Sequence, residues 1–192
     1  MAAKAKKAEP ETSQTEPPIV VQAIKGTDAN IRCKGFEFRP GETFTHKGEV
    51  KLCESGFHAC PVDAHPLSVF EYYAPAGTRY WEAELGGAID GNPATDDKVC
   101  AASITLKVEI ALPNLIQRAI KWVFDRSKPE GAASATGTRG AASATGDLGA
   151  ASATGYQGAA SATGYRGAAS ATGTQGAASA TGYRGAASAT GT

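Results

Sequence analysis

Cysteines and histidines of the first half of the chain are the residues best suited to site chemistry. The four cysteines are Cys33, Cys53, Cys60 and Cys100, and the three histidines are His46, His58 and His65. Cys53, His58 and Cys60 are close in sequence, and tetrahedral zinc accepts such a ligand set. Their spacing is not that of a CxxC pair, and His58 and Cys60 share a face only in an extended strand. Reduced cysteines inside a cell are more often small core residues, so buried thiols are our main interpretation, with zinc and a disulfide as alternatives.

A second set of candidates lies in the tail, where a nine-residue phrase beginning Gly-Ala-Ala-Ser-Ala-Thr-Gly recurs seven times from Gly131 to Thr192. Its last two positions vary and place tyrosine or arginine in predicted turns, where they favour stacking and cation–π contacts. Its threonines recur at a fixed position, as in a hydroxyl ladder that hydrogen-bonds a protein, a glycan or ice. The candidate binding residues of the tail are Tyr156, Tyr165, Tyr183, Arg139, Arg166, Arg184, Thr154, Thr163 and Thr172.

A β-solenoid is the element that best positions these side chains. Gly137 to Gly140 is typical of a turn, and strand alternation puts Ala133 and Ala135 on one face, opposite Ser134 and Thr136. Nine residues are too few for a closed coil, so we predict two phrases per turn. Alanine buries little apolar area against the loss of backbone entropy, so the stack needs other chains or a capping element. A flexible Gly/Ala/Ser tail is the alternative.

The remaining chain divides into three segments. Residues 1–18 contain lysine, proline and glutamate without large apolar residues beyond Met1, which predicts a disordered leader. Residues 19–111 contain short alternating strands and predict a small α+β domain with a mostly β core. One predicted strand has Trp81, Ala83 and Leu85 facing inward. The inward residues of a second predicted strand are Ile104, Leu106, Val108 and Ile110.

Residues 112–130 predict an amphipathic helix followed by a linker. Pro113 suits a first helical position, and an apolar stripe follows it. We expect this helix to pack on its own domain, to cap the first rung of the repeats or to join neighbouring chains. The stripe is Leu115, Ile116, Ala119, Ile120 and Val123.

The charge balance excludes several classes of partner. The sequence has 19 basic and 19 acidic residues, so its formal net charge is zero. Neither the repeats nor the rest has the basic excess of a nucleic-acid or anionic-membrane binder. It also lacks an apolar span of membrane length and an apolar signal segment. We therefore expect a cytoplasmic protein that is not secreted by a signal peptide and that binds no membrane and no specific nucleic acid. The sequence has no Gly-rich phosphate loop, no GxSxG and no HExxH motif, so we expect no cofactor.

Several short motifs lie within about residues 22–112. They are Cys33-Lys-Gly-Phe36, Pro40-Gly-Glu-Thr-Phe44, Lys51-Leu-Cys-Glu-Ser-Gly-Phe-His-Ala-Cys60, Pro66-Leu with Tyr72-Tyr73, and Asp97-Lys-Val-Cys-Ala-Ala-Ser-Ile104. Together they resemble a domain of unknown function that is common in phage and prophage proteins. The resemblance implies a following array of Gly/Ala/Ser repeats, which this chain has, and a virion or host-cell setting. Such arrays usually close on an apolar ending with tryptophan, so we expect a natural cap to be missing. The repeats are also similar to the β-roll head repeats of trimeric autotransporter adhesins, which supports architecture alone.

Two classes of function follow. The first is a non-enzymatic structural or interaction protein, which forms a homo-oligomer, with a trimer favoured, through residues 112–192. The second rests on Arg32, Gly41-Glu-Thr-Phe44 and Gly56-Phe57-His58 followed by a short predicted helix. This order loosely resembles the split core of the ADP-ribosyltransferases, so the second class is a degenerate relative of that family. That resemblance implies that Arg32 or His58 positions a dinucleotide, that Tyr72 or Tyr73 stacks on it, and that Glu109 is the acid. No motif of that family is intact, so a non-catalytic protein is our main interpretation.

Overall fold

A computed structural model of the chain describes residues 20–127 and 132–191. The predicted disordered leader, residues 1–18, lies outside the described residues. The described chain is mostly β, with a small N-terminal β domain, which we call the head, one α-helix and a β-solenoid.

The head is built from antiparallel strands that close on themselves. β1 pairs with both β5 and β6, and both of these pair with β7, while β4 pairs with β7 beside β5. The strands β2 and β3 form a separate two-stranded hairpin. The strands are β1 Val21–Thr27, β2 Arg32–Cys33, β3 Phe36–Glu37, β4 Thr43–Thr45, β5 Phe57–Pro61, β6 Arg79–Asp90 and β7 Val99–Ile110.

Alternation correctly predicts most of the head core. Trp81, Ala83 and Leu85 are buried, as predicted from β6. The prediction for Val108 is wrong, since this side chain is 61% exposed. The reason is a register shift between the pairs Trp81↔Glu109 and Ala83↔Leu106, which adds a residue to β7 and interrupts its alternation.

A short 3₁₀ helix and a longer α-helix complete the head. A 3₁₀ helix, Pro66–Glu71, follows β5, and His65 Nδ1 accepts a hydrogen bond from the Leu67 N–H at its start. The α-helix α1, Leu112–Arg126, has Pro113 in its first turn and buries Leu115, Ala119, Ile120 and Val123, as the apolar stripe predicts.

The repeats form a parallel β-solenoid with two phrases per turn. Ala132 pairs with Ala150, eighteen residues later, and every following rung keeps that register. Odd-numbered phrases form a four-stranded sheet and even-numbered phrases a three-stranded sheet, and the inward alanines of both form one core. In the described repeats the strands are β8 Ala132–Thr136, β9 Ala141–Thr145, β10 Ala150–Thr154, β11 Ala159–Thr163, β12 Ala168–Thr172, β13 Ala177–Thr181 and β14 Ala186–Thr190.

Helix α1 joins the head to the solenoid. It packs on the 3₁₀ helix and on the outer face of the four-stranded sheet, where Ala150, Ala168 and Ala186 are buried. Gln117 Nε2 also donates to Ser188 Oγ at 2.6 Å. The helix therefore covers one side of the solenoid instead of capping its first rung, and one apolar stripe serves both contacts.

Candidate functional site

The head contains a cleft of about 980 Å³. It lies where β1, the β2–β3 hairpin, β5 and the end of the 3₁₀ helix meet, so residues distant in sequence share its surface. Its polar and charged lining includes Lys25, Asp28, Arg32, Cys33, Lys34, His46, Lys47, His58, Glu71, Tyr72, Tyr73 and Lys98. Phe36, Phe38 and Phe57 supply an apolar wall.

Lys25 forms the floor of this cleft and is only 3% exposed. Its Nζ donates to Tyr73 Oη and to the His58 carbonyl oxygen, each at 2.7 Å, and lies 3.5 Å from Cys33 Sγ. Cys33 Sγ is also 3.5 Å from Tyr73 Oη. Glycine at position 26 makes this arrangement possible, because a β-carbon there would overlap the Tyr73 ring.

The Lys25 charge is held mainly by neutral groups. Burial lowers the pKa of Lys25, although the neighbouring Cys33 acts in the opposite direction. The Nζ lies 5.1 Å from the Tyr73 ring centroid and 5.7 Å from that of Phe38, which places it near two aromatic faces. Within residues 20–127 and 132–191, no carboxylate oxygen lies within 4.0 Å of this Nζ.

The two carboxylates of the lining are engaged elsewhere. Asp28 Oδ1 accepts from the backbone N–H groups of Asn30 and Arg32 at 2.9 and 2.8 Å. Glu71 pairs with Arg184 of the solenoid. The cleft has an excess of positive charge, because among the described residues only Arg32 of its five basic side chains pairs with a carboxylate.

His58 takes part in the cleft but not in a metal cluster. Its Nε2 accepts from the Cys53 backbone N–H at 2.8 Å, and Nδ1 lies 3.2 Å from the Gly56 carbonyl. Burial, and then the charges of Lys25 and Lys98, lower the pKa of His58. Cys60 is 2% exposed in the core, where burial raises its pKa to about 12, whereas Cys53 lies on the surface with Lys98 Nζ at 3.3 Å.

The structure does not assemble a zinc site from Cys53, His58 and Cys60. In the part of the chain that the structure describes, no group of three or more cysteine, histidine, aspartate or glutamate side chains is arranged to hold a metal ion. The four cysteines are free thiols there, with Cys60 and Cys100 buried, Cys33 half-buried and Cys53 exposed.

Four of the five residues suggested by the ADP-ribosyltransferase resemblance lie in the cleft. They are Arg32, His58, Tyr72 and Tyr73. Glu109 does not join them, because it pairs with Arg79 at 2.6 Å on the β6–β7 pair. Arg32 is likewise paired with Glu37 across the hairpin at 2.7 Å.

The predicted binding residues of the repeats are divided between opposite edges of the solenoid, since successive phrases alternate between the two sheets. Arg139 and Tyr156 belong to odd-numbered phrases, and Arg139 Nε donates to Gln157 Oε1 at 3.2 Å. Tyr165 and Tyr183 belong to even-numbered phrases and stack with their ring centroids 5.2 Å apart. All three tyrosines are exposed, at 48–65%.

The even-numbered edge faces the head, so two predicted ligand-binding arginines contact the protein itself. Arg166 lies 5.7 Å from the Trp122 ring centroid. Arg184 is 6% exposed and pairs with both Glu71 and Asp97, the latter at 2.6 Å. Burial alone would lower the pKa of Arg184, but its hydrogen bonds to Asp97 and Glu71 outweigh burial and raise it.

The threonines of the repeats are exposed in both sheets, but only one sheet is otherwise uncovered. Thr163 lies on the three-stranded sheet, and Thr154 and Thr172 lie at the end of the four-stranded sheet that α1 leaves open. The outward face of the three-stranded sheet is exposed throughout. We call it the open face, and it consists of Ala141, Ser143, Thr145, Ala159, Ser161, Thr163, Ala177, Ser179 and Thr181.

Sequence reasoning missed the Lys25 cluster. A usable signal is that Lys25 interrupts an apolar strand, Val20 to Gly26, at a position that alternation does not force to the surface. The partners Cys33 and Tyr73 carry no comparable signal, because a hairpin and a 3₁₀ helix bring them to β1 through tertiary structure.

Comparison with known proteins identifies a family for the head. A family model described as a domain of unknown function (DUF7666) matches residues 21–118, more than half of the 192-residue chain. No curated protein matches the chain, and no solved structure matches it. Among the described residues, no helix has the length and apolarity needed to cross a membrane.

Proposed function

We propose that this chain, which belongs to the DUF7666 family of domains of unknown function, is a non-enzymatic structural and binding protein. Its repeat array mediates assembly. The partner we propose for the open face is a second copy of the same chain. The observation that carries this proposal is the unequal covering of the solenoid: α1 buries Ala150, Ala168 and Ala186, whereas the equivalent Ala141, Ala159 and Ala177 are exposed.

The chemistry of the open face favours self-association. It presents alanine, serine and threonine in identical rungs and has no charged side chain. Two copies therefore meet without like-charge repulsion, and their small side chains let two flat sheets approach closely. Serine and threonine hydroxyls act as both donors and acceptors, so each face complements a copy of itself.

The size of the open face limits the strength of a single contact. Three strands of five residues span roughly 14 Å by 16 Å, or about 230 Å². A stable interface buries about 800 Å² on each partner. Pairing of one open face with a copy of itself is weak and closes at a dimer. A stable homo-oligomer, with a trimer favoured, therefore needs a second kind of contact, from α1 or from the tyrosines at the solenoid edges.

We propose that the protein acts in the host cytoplasm or in a phage particle, where many copies add weak contacts into high avidity. The resemblance of the repeats to trimeric β-roll head repeats supports the same view.

The test is the mass of the full chain by light scattering and sedimentation, up to about 1 mM, where an interaction of about −4 kcal/mol is half populated. We expect a discrete oligomer that Ser161→Arg, in the centre of the open face, converts to monomer. Thr174→Arg is the matched control, because Thr174 is an exposed turn residue of the opposite edge.

A monomer at every concentration in the unmodified chain would overturn the assembly proposal. An oligomer that both variants leave intact would move the interface away from the open face. In the first case, binding of the monomer to a glycan array or to ice would assign the threonine ladder to a ligand instead.

A further inference from the structure

The cleft of the head has a buried lysine at its floor, and no described carboxylate pairs with it. Lys25 Nζ donates to a phenol hydroxyl, a carbonyl and a thiol, none of which is a carboxylate. Such acceptors offset only part of the loss of hydration of a buried ammonium. An apolar residue at position 25 would fill the same strand without that penalty, so the charge itself needs an explanation.

The rim of the cleft adds to the positive potential. Lys34, Lys47 and Lys98 line it, and among the described residues no carboxylate oxygen lies within 4.0 Å of their Nζ atoms. Asp28 is held by backbone N–H groups, and Glu71 by Arg184. A concave, partly apolar cleft lined by charge of one sign concentrates the field and attracts ligands of the opposite sign.

The wall of the cleft offers flat apolar surfaces. Phe36 is 41% exposed and packs edge-on against Phe57, with ring centroids 5.3 Å apart. On the other side Tyr72 is 42% exposed, and Lys98 Nζ lies 4.3 Å from its ring centroid. An exposed aromatic ring beside a cation suits a ligand that combines a planar body with a negative group.

From these three observations we propose that the cleft binds a small organic anion with a planar apolar body, which stacks on Phe36 or Tyr72 while Lys98 and Lys25 provide its countercharge. Tyr73 is a positioning residue in this site, because its hydroxyl holds the Lys25 ammonium in place. The proposal is independent of assembly through the open face, since the cleft and that face share no residue.

Calorimetry on the full chain with phenyl phosphate and with benzoate tests the proposal, beside inorganic phosphate and benzyl alcohol. We expect at least one of the two aromatic anions to bind at least about tenfold more tightly than inorganic phosphate or benzyl alcohol. Inorganic phosphate has the negative charge without the aromatic ring, and benzyl alcohol has the ring without the charge.

Three variants locate the binding. Lys98→Gln at the rim and Lys25→Met at the floor are each expected to weaken it by about tenfold or more, as the loss of a desolvated charge does. Lys107→Met is the control, because Lys107 lies outside the cleft and pairs with Glu84 at 2.7 Å. Circular dichroism checks the fold, and Lys98→Gln keeps the test valid if Lys25→Met does not fold.

Several outcomes would overturn the proposal. They are the absence of binding of both aromatic anions at about 10 mM, equal binding of benzyl alcohol, and equal weakening by Lys107→Met. The Cys33→Ser variant provides a further test of the proposal. If the Cys33 thiolate is the countercharge of Lys25, its removal should tighten anion binding several-fold, whereas our proposal expects an unchanged affinity.

Discussion

At the residue scale, His65 shows how the junction between head and solenoid restricts protonation. The side chain is 2% exposed, stands edge-to-face with Trp122 at 5.1 Å between ring centroids, and accepts from the Leu67 N–H through Nδ1. Its proton in the neutral form is therefore on Nε2. Burial, followed by the charges of Arg184 and Arg166, lowers the pKa of His65 to about 4.

This environment predicts a loss of stability in mild acid. An unfolded histidine titrates near pH 6.5, so between about pH 6.5 and pH 4 the unfolded chain binds a proton that the folded chain excludes. The free energy of unfolding should fall through this window by up to about 3 kcal/mol. We expect His65→Asn, which keeps an acceptor for the Leu67 N–H, to reduce the dependence measured by urea denaturation from pH 8 to pH 4.5. His58 keeps its own part of that dependence, because burial lowers its pKa too.

The lower limit of pH 4.5 keeps the titration of a second group, the Asp97 carboxyl, out of the measured pH dependence. Burial acts to raise the pKa of Asp97, but the hydrogen bonds and charge of Arg184 outweigh it and hold the pKa below its usual value. A lowered carboxyl pKa contributes stability that is lost only as the pH falls below about 4. An unchanged slope in His65→Asn would contradict the assignment to His65.

The sequence predicts candidate residues better than it predicts their neighbours. His58, Tyr72 and Tyr73 are candidate binding residues on the motifs of the sequence, and all three line the cleft. Their partner Lys25 was missed, because only tertiary structure shows that a strand lysine points inward. Arg184 is a converse case, since the phrase is the same on both edges of the solenoid and only the position of the head decides which arginines it buries.

At the element scale, the glycine at the seventh position of each phrase determines how closely the rungs stack. A β-carbon on Gly155 would overlap the carbonyl oxygen of Gly137 in the preceding rung. Gly137 has a similar positive φ, at 126° against 151° for Gly155, but has open space around the position of its own β-carbon. The two residues differ mainly in stacking, which makes them a matched pair.

We expect Gly155→Ala to disrupt the solenoid, because backbone atoms must move apart and no flexible side chain can yield. The thermal midpoint of the strand signal in circular dichroism should drop by more than about 10 °C or the transition should broaden. Gly137→Ala should have the smaller effect of backbone strain alone, about 1–2 kcal/mol. Equal effects of both variants would show that strain rather than stacking dominates.

The period of the repeat and the direction of its side chains could be predicted because alternation in an extended strand is strictly local. The alanines at the third and fifth positions of the phrase accordingly face the solenoid core, whereas the alanine at the second position faces outward. The position of α1 could not be predicted, since its stripe fits any apolar surface, and the sheet that it covers is set by the chain path between helix and repeats. The register shift that exposes Val108 likewise depends on pairing with β6.

At the scale of the whole molecule, one arginine of the sixth phrase connects the solenoid to two parts of the head. Arg184 pairs with Glu71 at the end of the 3₁₀ helix and with Asp97 just before β7. Ser68 Oγ donates to the same Asp97 carboxylate at 3.1 Å. Together with α1, this contact holds the head and the repeats in one orientation.

We expect Arg184→Gln to lower the free energy of unfolding by about 2 kcal/mol or more, because it leaves two partly buried carboxylates without their cation. Arg139→Gln changes the same phrase position on the opposite edge, where the side chain is exposed, and should stay within about 0.5 kcal/mol. Denaturant midpoints of the two variants give the comparison. Equal midpoints would mean that α1 alone provides the connection.

The alternation of phrases between two sheets also constrains how the gene for this protein can change in length. Near-identical repeat units are readily gained or lost when DNA is copied. One extra unit between Gly140 and Gly176 would carry Arg184 to the edge away from the head, whereas two would keep it on the same edge, one rung farther along. Inherited variation in the length of this tail should therefore proceed in even steps, or else be confined to phrases beyond the last one that contacts the head.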